Sequence, residues 1–221
     1  MRRRMFAMIL ALMMILSLPL CVSAEQKERD ELVNLSMDVP YRYPITPADK
    51  EWANFKTSKE MYDSCQIPDH VLTSMATDAL LETVLNYPFL GTYRCYDDYE
   101  FAARYLCGQF NGLEELFARD DLTETLLERY AKSKVLTQKE LNENSHLRLG
   151  YVNTFFESNN LEFLIAYDQL HNGQYSKEES ETFSILFSEK EQLREEQSSI
   201  YSGAAGTYAA VTERFRYEKR K

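Results

Sequence analysis

The chain is 221 residues long, with 35 Asp+Glu against 25 Lys+Arg, a formal net charge of −10 and 44% hydrophobic residues. That apolar content excludes wholesale disorder. The acidic balance excludes nucleic acid as a partner, because phosphate recognition needs a basic face, and the one basic cluster, Arg214, Arg216, Lys219, Arg220 and Lys221, is interrupted by Glu213 and Glu218 and reads as cations at a helix C-terminus.

The first 24 residues read as a secretion signal. Met1-Arg2-Arg3-Arg4 is positively charged, residues 5–16 are unbroken apolar, and Pro19 precedes the small-residue end Val22-Ser23-Ala24, which places cleavage after Ala24. A retained anchor fits less well. The apolar run is shorter than the ~20 residues a bilayer crossing needs, and Glu25-Gln26-Lys27-Glu28 follows at once. Leu18-Pro19-Leu20 ahead of Cys21 lacks the small residue that a lipidated cysteine wants before it. The expectation is a secreted or extracytoplasmic protein with no stable membrane anchor, more acidic still once Arg2, Arg3 and Arg4 are removed. Cys65, Cys95 and Cys107 remain, which permits one disulfide between two of them and excludes a disulfide framework. No CxxC pair suggests zinc or redox chemistry.

Residues 25–45 read as an extended arm, charged at first and then bounded by Pro40 and Pro44. Residues 46–221 read as a single all-helical domain. Thr46-Pro47 predicts a helix start, with Trp52 and Phe55 three apart on it. Thr57 with Glu60 predicts a capped short helix ending near Cys65, and Ile67-Pro68 opens another turn bearing Val71, Leu72 and Met75. Thr77 and Asp78 start a helix with Leu80, Leu81, Val84 and Leu85 that Asn86-Tyr87-Pro88 stops.

Ala102, Leu106, Phe110, Leu113 and Phe117 form a helical stripe, and Asn111-Gly112 inside it predicts a kink or a split. Asp121 with Glu124, Thr137 with Glu140, Asn159 with Glu162 and Ser176 with Glu179 each predict a helix start. The four helices carry in turn Leu122 to Tyr130, Leu147 to Phe155, Leu161 to Ile165, and Phe183, Leu186, Phe187 and Leu193. His171-Asn172-Gly173 ends the third of these, and a last helix bears Tyr208, Val211 and Phe215. Successive helices with short connections predict an all-α fold, either a multi-helix bundle or a short stack of helix pairs forming an irregular α-solenoid.

Three segments carry a resemblance: Cys65-Gln66-Ile67-Pro68; residues 75–88, which run from Met75-Ala76-Thr77 to Asn86-Tyr87-Pro88; and Phe110-Asn111-Gly112-Leu113-Glu114-Glu115-Leu116. Together they resemble the motif set of an uncharacterised family of exported, all-helical proteins of anaerobic bacteria. The resemblance covers roughly residues 50–130 and implies a fold. It brings no catalytic residue, cofactor or substrate.

Chemistry-bearing patterns are sparse. There is no GxSxG, HExxH, GxGxxG, Walker loop or calcium-binding loop, so neither a metal nor a nucleotide cofactor is indicated. Cys65 and His70 lie five apart, but a buried structural cysteine is commoner than a catalytic one. Paired acids suited to glycoside cleavage are Asp97, Asp98 and Glu100, Glu114 and Glu115, and Asp120 and Asp121, each with a plain alternative as a cap or first-turn residue.

The stretch from Tyr87 to Phe101 interleaves aromatic rings with Arg94, Asp97 and Asp98. Exposed, its Tyr93, Tyr96, Asp97, Asp98 and Tyr99 form a candidate binding surface; buried, the stretch is an inter-helix loop folded into the core, which is the favoured reading. The functional expectation is an exported domain that binds or scaffolds a protein or glycan of the cell envelope, with a glycan hydrolase using paired carboxylates as the alternative.

Overall fold

A computed structural model describes residues 38–143, 147–171 and 175–198. The expected secretion signal, most of the expected arm, the last helix expected around Tyr208 and the basic C-terminal cluster lie outside the described residues. Within them the chain is helical, with no strand: α1 Ser58–Ser64, α2 Asp69–Leu72, α3 Thr77–Leu85, α4 Tyr99–Cys107, α5 Asn111–Leu116, α6 Leu122–Lys132, α7 Gln138–Glu143, α8 Leu147–His171 and α9 Lys177–Glu196. Two 3-10 helices, Lys50–Asn54 and Leu90–Cys95, complete the set. The all-α reading holds. None of the described helices is long and apolar enough to cross a membrane.

The long helix α8 is the axis of the packing. Helices α3 and α6 and the second 3-10 helix lie against it, α9 packs on α6, and α5 packs on α3 and α4. Every residue from Ser158 to Asp168 is buried, so this part of α8 has no solvent face. The sequence reading placed a helix start at Asn159 with Glu162. The structure corrects it, because Asn159, Asn160 and Glu162 sit inside a continuous helix and hydrogen-bond or pack there instead of capping.

Other starts follow the capping chemistry closely. Ser176 and Glu179 form a complete capping box, and so do the side chains of Thr137 and Glu140 with each other's backbone N–H groups. Thr57 accepts from the Glu60 N–H, while the Glu60 carboxylate reaches back to Lys56 N at 2.8 Å. Asp121 departs from expectation. Its carboxylate accepts from the Thr77 hydroxyl at 2.6 Å and so ties the start of α6 to the start of α3, leaving no side-chain cap. Thr46 likewise does not cap; its N–H and hydroxyl both donate to Asp49, and the segment that follows is a 3-10 helix. On α9 the expected apolar face gives way after Phe187: Leu193 is 46% exposed, while Lys190 and Arg194 point inward.

The predicted stripe 102–117 splits at Asn111-Gly112 into α4 and α5, and the reason is a junction with residues 66–67. Ile67 N donates to Asn111 Oδ1 at 3.0 Å, and Asn111 Nδ2 donates back to the Ile67 carbonyl at 2.7 Å. Gln66 completes it, accepting from Asn111 N at 3.1 Å and donating to the carbonyls of Tyr62 and Gln109. Two side-chain amides thereby satisfy backbone groups that no helix reaches. Beside them the Tyr87 ring stacks on Phe110, centroids 4.1 Å apart and planes within 8°. Gly112 allows this packing, since a Cβ there would lie 2.7 Å from Phe110 Cε1 and 3.0 Å from Ile67 Cδ1.

The described end of the arm, residues 38–45, lies against α3. Tyr41 N donates to Thr83 Oγ1 and the Tyr43 hydroxyl to the Thr83 carbonyl, both at 2.9 Å, so one residue holds the arm at two points.

Replacing Asn111 with Leu removes two partners of Ile67 and leaves its N–H and carbonyl unsatisfied at a half-buried site. The expected loss is about 2–4 kcal/mol in urea unfolding, and a loss below ~0.5 kcal/mol overturns this account of the junction. Gly112→Ala is expected to cost about 1–3 kcal/mol by overpacking.

Candidate functional site

The structure divides the aromatic stretch 87–101. Tyr93 is only 1% exposed and stacks flat on Phe163, centroids 4.0 Å apart and planes within 4°. It is therefore a core residue, and its place in the expected surface is corrected: the second 3-10 helix turns this ring inward against α8. Tyr99 is partly buried with its ring 5.9 Å from Tyr93. Asp97 and Asp98 are exposed, and Asp98 caps α4 by accepting from Phe101 N at 2.9 Å. Tyr96 is partly buried and meets two rings of α4, Phe101 at 5.7 Å and Tyr105 at 5.8 Å.

That cluster is one end of a longer ribbon of rings. Phe101 and Tyr105 lie 6.3 Å apart with planes within 19°, and Phe101 is 49% exposed. Tyr105 hydrogen-bonds Tyr62, whose hydroxyl is pushed up to about 12, first by burial and then by that bond. Tyr62 meets Phe89 edge-on at 4.7 Å, Phe89 lies 5.7 Å from Trp52, and Trp52 meets Phe55 at 5.5 Å. All seven rings keep some solvent exposure. They come from the first 3-10 helix, the flanks of both 3-10 helices, α1 and α4, so the run of tyrosines in the sequence marked only one end. The spacing of Trp52 and Phe55 was a signal for the other; nothing local connected the two.

The paired acids do not converge. Asp98 is a cap, Glu100 pairs with Arg104 at 3.1 Å, Glu115 with Arg119 at 2.9 Å, and Asp121 bonds Thr77. Asp97, Glu114 and Asp120 are exposed. Asp121 does share a groove of about 540 Å³ with Asp78, Glu82, Glu124 and Glu128, but Arg129 crosses it and pairs with Glu82 and Glu157. Among the described residues no group of three or more His, Cys, Asp or Glu is placed to hold a metal ion. Cys65, Cys95 and Cys107 are free thiols. Cys65 is fully buried, which raises its thiol pKa, whereas His70 is exposed, so the two form no catalytic pair.

Sequence reading missed the ionic cluster in the interior. Glu162 and Arg194, 1% and 3% exposed, form an ion pair between α8 and α9. Glu162 Oε1 also accepts from the Tyr130 hydroxyl at 2.6 Å, and Arg194 donates to Ser158 Oγ at 3.0 Å. Lys190 lies over the Tyr130 ring at 5.0 Å and donates to the Ser133 carbonyl. Glu162 Oε2 has no hydrogen-bond partner. Burial accordingly outweighs the attraction of Arg194, Tyr130 and Lys190, and holds the Glu162 carboxyl above the usual glutamate range. None of these residues lines a described cavity. The cluster ties α8 to α6 and α9 in the interior.

No family model matches the chain, and neither a curated protein nor a solved structure is significantly similar to it.

The raised Glu162 pKa has a definite sign in stability. The folded state holds this proton at higher pH than the unfolded chain, so this residue's contribution falls as pH rises from the ordinary glutamate value through the folded one. Subtracting the Glu162→Gln stability curve from the wild-type curve over that window is expected to give a negative slope; a flat or positive difference refutes the assignment. Arg194→Met, which strands the carboxylate, is expected to cost about 3–5 kcal/mol in chemical denaturation.

Proposed function

We propose that the protein is an exported binding domain that docks on neutral glycan of the cell envelope through the aromatic ribbon. The single observation that carries this reading is the ribbon itself: seven partly exposed rings in mutual contact from Phe55 to Phe101. A row of rings fits a chain of sugar units, whose C–H faces stack on aromatic surfaces while their hydroxyls seek acceptors. Asp97 and Asp98 stand exposed beside Tyr96 as such acceptors. The chain's charge of −10 works against polyanionic partners and leaves uncharged polysaccharide compatible.

Binding is favoured over glycan hydrolysis by the fate of the acids. A hydrolase needs one carboxylic acid raised in an apolar setting and a second facing it across the bond. The acids read from the sequence as that pair are instead exposed, capping or ion-paired on different helices. Export, and kinship with the family of exported proteins, remain part of the proposal and rest on the N-terminal pattern and the three motif segments.

The test is co-sedimentation with purified cell-wall polysaccharide. Tyr96→Ala, Phe101→Ala and Tyr105→Ala combined are expected to weaken retention at least ~10-fold, equivalent to about 1.4 kcal/mol, with helical content preserved. Retention equal to wild type in a folded triple variant overturns the reading.

A further inference from the structure

Helix α9 distributes its side chains unlike a helix with a single covered side. Lys190 and Arg194 point into the core, whereas Ile185 is 60% exposed and Leu193 46%. A helix packed on one side normally turns its apolar stripe to that side. Ile185, Glu189 and Leu193 follow one another at steps of four, so the two apolar residues flank the outer side of α9, about 12 Å apart along its axis. The exposed charges of α9 are acidic: Glu178, Glu181, Glu189, Glu195 and Glu196, against Lys177 alone. The side of α9 away from the core is therefore an apolar strip with an acidic border.

The sequence that follows α9 has the complementary character. Ser202-Gly203-Ala204-Ala205-Gly206 supplies a break, after which Tyr208, Val211 and Phe215 step by three and four residues, the spacing of one helical face. On a helix, Tyr208 and Phe215 are about 10 Å apart, close to the separation of Leu193 and Ile185. Arg214, Arg216, Lys219, Arg220 and Lys221 make the far part of this segment basic, with Glu213 and Glu218 among them. A short connection returns a helix antiparallel to the one before it. That direction sets Tyr208 toward Leu193 and Phe215 toward Ile185, and brings Lys219 and Lys221 alongside Glu181 and Glu178 at the start of α9. Acids at the start of one helix and cations at the end of the other are favoured by each helix's own dipole and by one another. The α9 of a second copy is a poorer occupant, because it would bring the same acids against these.

We propose that residues 207–221 form a helix that docks antiparallel on the outer side of α9. Tyr208, Val211 and Phe215 cover Ile185 and Leu193, and the cations border the acids. Helix α9 then lies between two layers, which accounts for apolar residues on its outer side and for Phe183, Lys190 and Arg194 on its inner one. This inference does not rest on the aromatic ribbon, which lies along other residues.

The test is hydrogen–deuterium exchange, read by mass spectrometry, on the full chain without its first 24 residues. Residues 207–217 are expected to be protected at least ~10-fold relative to an unstructured peptide of the same sequence. Ile185→Asp with Leu193→Asp, both at exposed positions, is expected to abolish that protection while α3, α6 and α8 exchange as in wild type. Phe215→Asp reads the same contact from its other side and leaves the sequence of α9 intact. It is expected to abolish the protection of 207–217 and to speed exchange of α9. Sedimentation velocity is expected to give a monomer, with protection independent of protein concentration. No protection of 207–217 in wild type, wild-type protection in either variant, or protection that appears only in a dimer overturns the proposal.

Discussion

The junction between Gln66-Ile67 and Asn111 is the constraint on which the rest of the structure depends. Short helices bury little surface of their own, and α2 and α5 have only 4 and 6 residues. Such pieces keep their places only if the loops between them are fixed. Here two amide side chains do the fixing: Asn111 gives the Ile67 backbone the pair of hydrogen bonds that a neighbouring strand would give it, and Gln66 ties the Asn111 N–H to the carbonyls of Tyr62 and Gln109. The stack of Tyr87 on Phe110 then joins the end of α3 to the same point. The three motif segments that are far apart in the chain therefore meet in space, and the reason for their residue types is mutual: Gln and Asn for the backbone, Gly for the close approach, Tyr and Phe for the stack.

From that junction the packing grows outward to α8, which both closes the core and carries its charged cluster. A helix buried on all sides is normally apolar, yet this one carries Ser158, Asn159, Asn160, Glu162 and Asp168 in its buried part. Each of several neighbours supplies a polar group to it: Thr123 and Tyr130 from α6, Arg194 from α9, Arg94 from the second 3-10 helix. Such contacts contribute little net stability compared with an apolar core, but they penalise any rotation or slippage of α8 heavily, since each displaced group would be buried without its partner.

How much was legible in the sequence follows from what each signal measures. Local chemistry was reliable where it was satisfied locally: the Ser176/Glu179 and Thr137/Glu140 boxes, the stop at Asn86-Tyr87-Pro88 and the split at Asn111-Gly112 all appear. It misled where a capping-type residue was recruited by a distant partner, as with Asp121 drawn to Thr77, or buried in mid-helix, as with Asn159. The inward turn of Lys190 and Arg194 was invisible because burial of a charge depends on a partner on another helix, here Glu162 for Arg194. The candidate surface was read as a contiguous stretch. In the fold its tyrosines part company, with Tyr93 taken into the core and Tyr96 joined to rings from four other segments.

The way α9 is attached has a consequence for how the protein comes apart. Its buried contribution is Phe183, Lys190 and Arg194, while Ile185 and Leu193 face outward. It is held by Phe183 with the partly buried Leu186 and Phe187 toward one end and by the ionic contacts of Lys190 and Arg194 toward the other, and a helix with so few fully buried residues is expected to open below the global unfolding free energy. Water reaching Glu162 during such an opening would rehydrate the carboxylate and the guanidinium together. Amide protons of α9 are then expected to exchange with solvent while those of α3, α6 and α8 stay protected, so that the last helix of the described chain acts as a cover over the ionic cluster.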